Sequence, residues 1–305
     1  KKSKRDVMEF SLKLSENIFQ LHLELQNKIY IHGTYHSFKI NDPKPRDIHK
    51  AKVRDRLLHH AIYRILYPLF DKKFIFDSYS CRLGKGTHKA MDRFKDFARK
   101  ESLNHTKTCF VLKCDVRKFF ASIDHGILIN ISKEFIQDEN IIWLLDRVIS
   151  SFNSGKDAVG LPLGNLTSQL FANVYLNELD QFIKHELKVK YYIRYADDFV
   201  VLSRDKKYLE DLIVVIGKFL SDKLKLEFHP NKVFIKTFSS GVDFLGWVHF
   251  PKHRILRTVT KRRMKKRICE KNKASYLGLL SHGDAYNIKR ELGLTDGEID
   301  LYFTT

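Results

Sequence analysis

Cysteine is scarce and unpatterned in this chain. The four thiols, Cys81, Cys109, Cys114 and Cys269, show no paired metal-ligand spacing. A disulfide framework is therefore excluded and a reducing compartment expected. Cys109 and Cys114 lie in an apolar run and read as small core residues. No apolar run approaches the roughly 20 residues of a membrane span, and no signal-peptide pattern opens the chain. A cytoplasmic location with no membrane partner is expected. The opening Lys1-Lys2-Ser3-Lys4-Arg5 lacks an initiator Met and reads as an internal start. Internal repeats and low-complexity linkers are missing as well. Acid is in deficit: 36 Asp and Glu stand against 55 Lys and Arg, a net charge of +19 over 305 residues. That balance fits a polyanionic partner, with nucleic acid favoured over an anionic membrane. The length suffices for two or three subdomains.

What is present follows a readable order. Phe10, Leu14, Ile18, Leu21 and Leu25 predict a helix over 6–28. Alternation over 35–40, the turn Asn41-Asp42-Pro43-Lys44-Pro45 and an extended piece over 46–53 predict a hairpin. A helix over 55–69 follows. Gly84-Lys85-Gly86-Thr87 lacks the spacer of a phosphate-binding loop, so it reads as a flexible basic loop before a helix over 90–100. Beyond the strand over 108–116, Asp124 reads as the cap of a helix starting near Gly126. Another helix is expected from Asp138 to Ser151, then a long one from Asn165 to Lys188. The first turn of that long helix holds Asn165, Thr167, Ser168 and Gln169, which would either grip a substrate or simply cap the helix. An amphipathic helix over 206–222, short strands over 224–228 and 232–238, and one apolar strand over 242–248 come next. From Thr258 a cationic helix carries Lys261, Arg262, Arg263, Lys265, Lys266, Arg267, Lys271 and Lys273 against a single Glu270. That density favours a phosphate-tracking surface over a merely solvated face.

The chemistry concentrates in carboxylates. Tyr191 to Ser203 reads as two strands rich in aromatic and β-branched residues around Ala196-Asp197-Asp198. Two adjacent carboxylates at an apolar hairpin tip repel each other and are costly to bury without a cation. Oxygen-only donors suit Mg²⁺ and substrate phosphates; the competing reading is a solvated turn, which Asp favours anyway. Asp115 ends a short apolar strand, where a metal ligand, a helix cap or a surface turn are all consistent with it.

Strand–Asp115, the Gly164-Ser168-Gln169 helix, hairpin–Asp197–Asp198 and the Lys232 turn, in that order, resemble the palm of a reverse transcriptase. Tyr195-Ala196-Asp197-Asp198 is similar to that family's Tyr-x-Asp-Asp signature. Arg46 to Arg56 and Ser78 to Ala90 look like finger blocks of group II intron enzymes, and Val242 to Trp247 like the primer-grip block. The resemblance covers nearly the whole chain. It implies an α+β right-hand polymerase: fingers of helices and a hairpin over 1–105, a palm of antiparallel sheet packed on helices over 106–250 with finger-type helices inserted at about 126–160, and a short helical thumb over 251–305. Where most intron and viral enzymes carry Gln-Gly-x-x-x-Ser-Pro, this chain has Leu163-Gly164-Asn165-Leu166-Thr167-Ser168-Gln169. That block resembles diversity-generating retroelement reverse transcriptases, which copy template RNA unfaithfully at adenines for mutagenic retrohoming.

The resemblance also implies roles. Asp115, Asp197 and Asp198, with the Val116 carbonyl, would hold two Mg²⁺ ions, for which Mn²⁺ substitutes. Lys232 would protonate pyrophosphate. Arg46, Lys52 and Arg54 would bind the triphosphate. Phe120 would stack under the sugar and reject a 2′-hydroxyl, with Phe119 taking that place if the register shifts by one. Leu163, Gly164 and Gln169 would face the nascent pair. Arg82, Lys85, Ser168, Tyr195, Gly246, Trp247, Lys261, Arg262, Lys265 and Lys266 would contact nucleic acid. Expected partners are template RNA, a DNA or cDNA primer, deoxynucleoside triphosphates and an accessory variability protein oligomer, in a bacterial or phage-infected host. The absence of a maturase or endonuclease segment after the thumb fits this branch. The alternatives are a group II intron-like or other bacterial reverse transcriptase of ordinary fidelity, an RNA-dependent RNA polymerase, and a non-catalytic RNA-binding module.

Overall fold

Two short helices, α1 (Arg5–Leu12) and α2 (Leu14–Gln26), stand where one was expected, because Lys13 leaves helical geometry at φ −120° and ψ 41°. The computed structural model describes residues 4–41 and 45–292. Part of the 41–45 turn, the first three residues and the thumb segment 293–305 lie outside them. The break turns Leu21 and Leu25 into the core while α1 lays Asp6 on Lys50 and Arg56. The hairpin β1 (His36–Ile40) and β2 (Arg46–Lys50) follows, then α3 (Val53–Asp71) and α4 (Thr87–Glu101).

The centre is an antiparallel sheet. β3 (Phe110–Asp115) leads through the single turn α5 (Phe119–Ser122) into α6 (His125–Phe135) and α7 (Glu139–Ile149). Asp124 and Asp138 cap those two helices, accepting from backbone amides in their first turns. α8 (Leu166–Gln181) continues as a π-helical turn over 182–186. Nearly every residue of α8 is buried, so it is the spine of the molecule rather than an amphipathic surface helix. β4 (Tyr192–Tyr195) and β5 (Asp198–Ser203) form the aromatic hairpin, and α9 (Lys206–Leu224) ends at Lys225 in the left-handed region. β6 (Phe234–Thr237) completes the sheet in the order β4-β5-β3-β6. The strand expected over 224–228 is a single bridge at Phe228, because α9 extends through Leu224.

Both faces of this sheet are covered, which explains its nearly unbroken apolar strands. Leu112, Cys114, Tyr192, Phe199 and Val201 face α8 and α9 in one core. Val111, Ile193, Val200 and Leu202 face Ala90, Phe94 and Phe97 of α4 in another. Strand alternation thus assigns every side chain to one layer or the other.

The apolar run over 242–248 is a hairpin, not one strand. β7 (Val242–Phe244) and β8 (Trp247–His249) reverse at Leu245 and Gly246, both at positive φ, as a two-residue turn requires. β9 (Arg254–Leu256) joins them. The cationic stretch is likewise broken: α10 (Thr258–Arg267) and α11 (Glu270–Leu280) are separated by extended Ile268 and Cys269, and α12 (Tyr286–Glu291) follows. Met264, Leu277, Leu280 and Ile288 pack on Trp247, Leu256 and Met91 of α4, so the break wraps the helices around one small core. Among the described residues no helix is long and apolar enough to cross a membrane.

Candidate active site

Antiparallel register brings the three acids together. Asp115 ends β3 opposite Asp198, the first residue of β5. Asp197 sits in the two-residue turn between Tyr195 and Asp198, and its carbonyl accepts from the Val116 amide at 3.3 Å. Ala196 holds φ 54°, a value that two-residue turns usually reserve for Gly at that position. Asp115 and Asp198 share a sheet face with Val111, Val200 and Leu202, at the end that lies beyond α4.

The electrostatics are those of acids crowded without enough positive charge. Burial pushes Asp197 up to about 6; its own backbone amide opposes this, while Asp198 and Asp115 add to it. Burial also raises Asp198, against the pull of Lys113 and with the push of Asp115. Lys232 donates to Asp115 Oδ1 at 2.9 Å, and the Lys113 ammonium faces Asp198 Oδ1 across 3.7 Å. Asp198 Oδ1 is buried with no hydrogen-bond partner among the described residues. An oxygen-only donor set with an orphaned carboxylate oxygen and mutually repelling acids fits divalent cations. As they stand, no three His, Cys, Asp or Glu among the described residues converge tightly enough to enclose an ion. Two lysines supply the countercharge instead.

Lys232 reaches Asp115 because its turn is tied to the end of β3. The His229 amide donates to the Asp115 carbonyl at 2.7 Å and the Arg117 amide to the Glu227 carbonyl at 2.9 Å. This bridge uses the Asp115 carbonyl and the Arg117 amide on either side of Val116 and leaves the Val116 carbonyl outside it. Five residues past Asp115, Phe120 is half-buried, whereas Phe119 is 2% exposed and belongs to the core. The structure thus leaves Phe120 as the accessible ring.

The Leu163–Gln169 segment joins α8 to the β1–β2 hairpin and its exit. His49 donates its amide to the Leu163 carbonyl at 2.9 Å. Asn165 does not cap α8; its side-chain amide donates to the His49 carbonyl at 2.7 Å and accepts from the Ala51 amide at 3.2 Å. Gly164 takes φ 105°, and a Cβ there would meet Ile48 at 2.7 Å. Gly164 and Gln169 open into a cleft of about 470 Å³ that Ile48, Lys50, Arg56 and His60 also line. Ser168 is buried in α8, which removes it from direct nucleic-acid contact.

Other expected contacts divide. Arg46 and Lys52 are exposed on the β1–β2 hairpin and its exit. Arg54 is turned inward instead, donating to Glu24, the Ile31 carbonyl and buried Asp55. Arg82 is a structural clamp: its guanidinium binds Asp71 and the carbonyls of Ile75 and Ser78, with the side chain 7% exposed. Lys85 folds back, donating to the Phe76 carbonyl with its ammonium 3.4 Å from that ring's centroid. Trp247 is core rather than surface, packed on Gly283. Gly246 lies at an open turn. Tyr195 is half-buried and its hydroxyl accepts from Thr87 at the start of α4. On α10, Arg262, Lys265 and Lys266 are exposed and Lys261 half-buried, with Lys265 paired to Glu291.

Three polar residues escaped the sequence reading: Lys113, Asn165's role as a staple, and Arg194. Lys113 and Arg194 each interrupt an apolar strand, and a charge inside such a run is itself a signal that something opposite must neutralise it.

Comparison with known proteins places these features in context. Residues 39–249, well over half of the chain, match the family described as reverse transcriptase (RNA-dependent DNA polymerase). The chain is 24% identical over 254 residues to protein YkfC of Escherichia coli K12, covering 70% of this chain and 64% of that protein. It is also 24% identical over 279 residues to the group II intron-encoded protein LtrA of Lactococcus lactis subsp. cremoris, covering 68% of this chain and 45% of that protein. The chain therefore spans less than two thirds of either relative. Among solved structures, apo telomerase from Candida tropicalis superposes with a TM-score of 0.55 at 12% identity, over 72% of this chain and 48% of that one. Telomerase from Candida albicans with a fragment of telomeric RNA gives 0.50 at 14% identity, over 67% and 37%. These likenesses establish the fold: an α+β right-hand polymerase architecture.

Proposed function

The chain belongs to the reverse transcriptase family, and on that premise we propose that it is an RNA-directed DNA polymerase extending a primer 3′-hydroxyl with deoxynucleoside triphosphates on an RNA template. The observation that carries this is the cross-strand pairing of Asp115 with Asp198, with Asp197 in the adjoining turn and Asp198 Oδ1 left without a hydrogen bond. In this reading 1–105 are fingers, 106–250 palm with α6 and α7 as inserted finger-type helices, and 251–305 thumb.

Asp115, Asp197 and Asp198, with the Val116 carbonyl, would hold two Mg²⁺ or Mn²⁺ ions. Bound there, such ions supply Lewis acidity that acidifies the primer hydroxyl and neutralises the triphosphate. Lys232, whose ammonium donates to Asp115, would protonate the departing pyrophosphate. Phe120 bears against the sugar and excludes a 2′-hydroxyl by contact. Arg46 and Lys52 reach from the fingers toward the phosphates, and exposed Arg262, Lys265 and Lys266 track the duplex backbone.

The finer reading is a diversity-generating retroelement enzyme, error-prone at template adenines and working with an accessory variability protein. It is supported by Leu163 where a Gln is usual and by Gln169 opening into the finger cleft. Leu offers only apolar contact near the nascent pair, which weakens discrimination. A group II intron-like enzyme of ordinary fidelity is the second reading, favoured by the LtrA relative.

Primer extension tests the whole proposal. Wild type should extend a DNA primer on RNA in Mg²⁺, and Asp197→Asn should abolish extension while RNA affinity stays nearly unchanged. Failure of wild type to extend any primer, or full activity of Asp197→Asn, overturns it. Sequencing the products from an adenine-containing template, with and without the co-expressed partner, separates the two finer readings.

A further inference from the structure

Behind the carboxylates, on the opposite face of the sheet, a charged side chain is completely enclosed. Arg194 lies in β4 between Ile193 and Tyr195, and both it and Asp180 of α8 are 0% exposed. Its Nε and Nη2 donate to the two oxygens of Asp180 at 2.8 and 2.6 Å. Tyr192 adds a hydroxyl to the same carboxylate at 2.7 Å. A buried pair of this kind could be simple core architecture, and such pairs are weak evidence for stability.

The remaining nitrogen argues for more. Nη1 donates to Asn173 Oδ1 at 3.2 Å and to the Ala196 carbonyl at 3.1 Å. Ala196 is the left-handed residue of the turn that carries Asp197. A non-glycine residue persists in that region only where its surroundings hold it there. Asn173 is itself anchored, donating to the Ser80 carbonyl at 2.8 Å. The Arg194 backbone pairs with Asp77 and Tyr79 at 3.0 Å on each side. One planar guanidinium therefore connects the buried helix α8 to the peptide immediately before the acids.

The geometry points to Arg194 as a positioning residue that pins the Ala196 peptide against α8 and so fixes Asp197 and Asp198 for cation binding. This rests on the polymerase reading for its consequence in catalysis, but not for its consequence in metal affinity. Asp180 and Asn173 are the fixed points of the pin. Arg194 touches no reacting atom.

The test compares wild type, Asp180→Asn/Arg194→Gln and Arg194→Lys. The double variant removes both buried charges together, keeps an acceptor for Tyr192, and loses the bond to Ala196. Arg194→Lys retains a cation for Asp180 but lacks the second branch. Each is checked for folding by thermal melt, titrated with Mn²⁺ by electron paramagnetic resonance, and assayed for steady-state primer extension. Folded variants should bind Mn²⁺ roughly ten- to hundredfold more weakly. They should also lose kcat more than they raise KM, with unchanged affinity for primer–template. A folded variant whose Mn²⁺ affinity and kcat both stay within about twofold of wild type overturns the inference. If the double variant does not fold, Arg194→Lys decides alone by the same thresholds. Wild type that binds Mn²⁺ but extends nothing refutes the polymerase reading, while the Mn²⁺ comparison still decides the pin.

Discussion

Removing one carboxylate from the acid cluster should stabilise the metal-free protein. Asp197 is held at about 6 against an ordinary 3.8, chiefly by burial, with Asp198 and Asp115 adding to it. A carboxyl raised above its unfolded value binds protons more tightly in the native state. Stability is therefore lost as pH rises from 3.8 through about 6, and the full penalty applies above that window. The difference corresponds to about 3 kcal/mol at neutral pH, an upper figure because Asp198 shares the repulsion. Asp197→Asn removes the charge and keeps the shape. In a chain of this size about 2 kcal/mol moves the melting temperature by roughly 3 °C. Melts in EDTA at pH 7.5 should place the variant above wild type, and the gap should shrink as pH falls to 4.5. Saturating Mg²⁺ should reverse the order, because the ions bind the native wild type and stabilise it by mass action. A variant that melts at or below wild type in EDTA at pH 7.5, or a gap indifferent to pH, refutes the electrostatic account.

Three further outcomes follow from particular contacts. Leu163→Gln should lower misincorporation opposite template adenine; an unchanged error spectrum in sequenced extension products refutes a fidelity role for Leu163. Phe120→Ala should raise ribonucleotide incorporation relative to deoxynucleotide, read as the ratio of kcat/KM values, whereas Phe119→Ala should chiefly destabilise the core. Asn165→Leu should orphan the His49 carbonyl and Ala51 amide, at about 1–3 kcal/mol for each group. It should raise the triphosphate KM more than it lowers kcat, and a variant with wild-type melting temperature and KM counts against the palm–finger staple.

The sequence disclosed what local rules determine. The aromatic hairpin around Asp197 and Asp198, the Asp124 cap and the helix starting at Asp138 all rest on patterns within a few residues of each other. Breaks were harder. Lys13 splits α1 from α2 and Ile268–Cys269 splits α10 from α11, although helical spacing runs through both sites. Each break is fixed by what the flanking helix must bury, Leu21 in one case and Met264 with Leu277 in the other. The 242–248 run looked like one strand because apolar content hides a turn, and only Gly246 hinted at it.

Side-chain direction was the other blind spot, and it decides function. Arg82, Arg54 and Trp247 lie in blocks where contacts to nucleic acid were expected, yet each is turned inward. Arg82 is nearly buried on Asp71, Arg54 is held by Glu24 and Asp55, and Trp247 is 2% exposed. Composition counts such cations toward a polyanion-binding surface, whereas their ion pairs commit them to the scaffold. The same accounting applies inside the acid cluster. Lys113 and Lys232 each face one carboxylate, and neither was readable as a partner because β-sheet register for Lys113 and the tie of the 229–232 turn to the end of β3 for Lys232, not sequence distance, set the pairings. The two ammonium groups offset the repulsion of the acids while leaving Asp198 Oδ1 without a hydrogen bond. In the proposed two-metal reading a divalent ion would have to displace them, so the cluster would take its cations with the substrate's own charge rather than hold them beforehand.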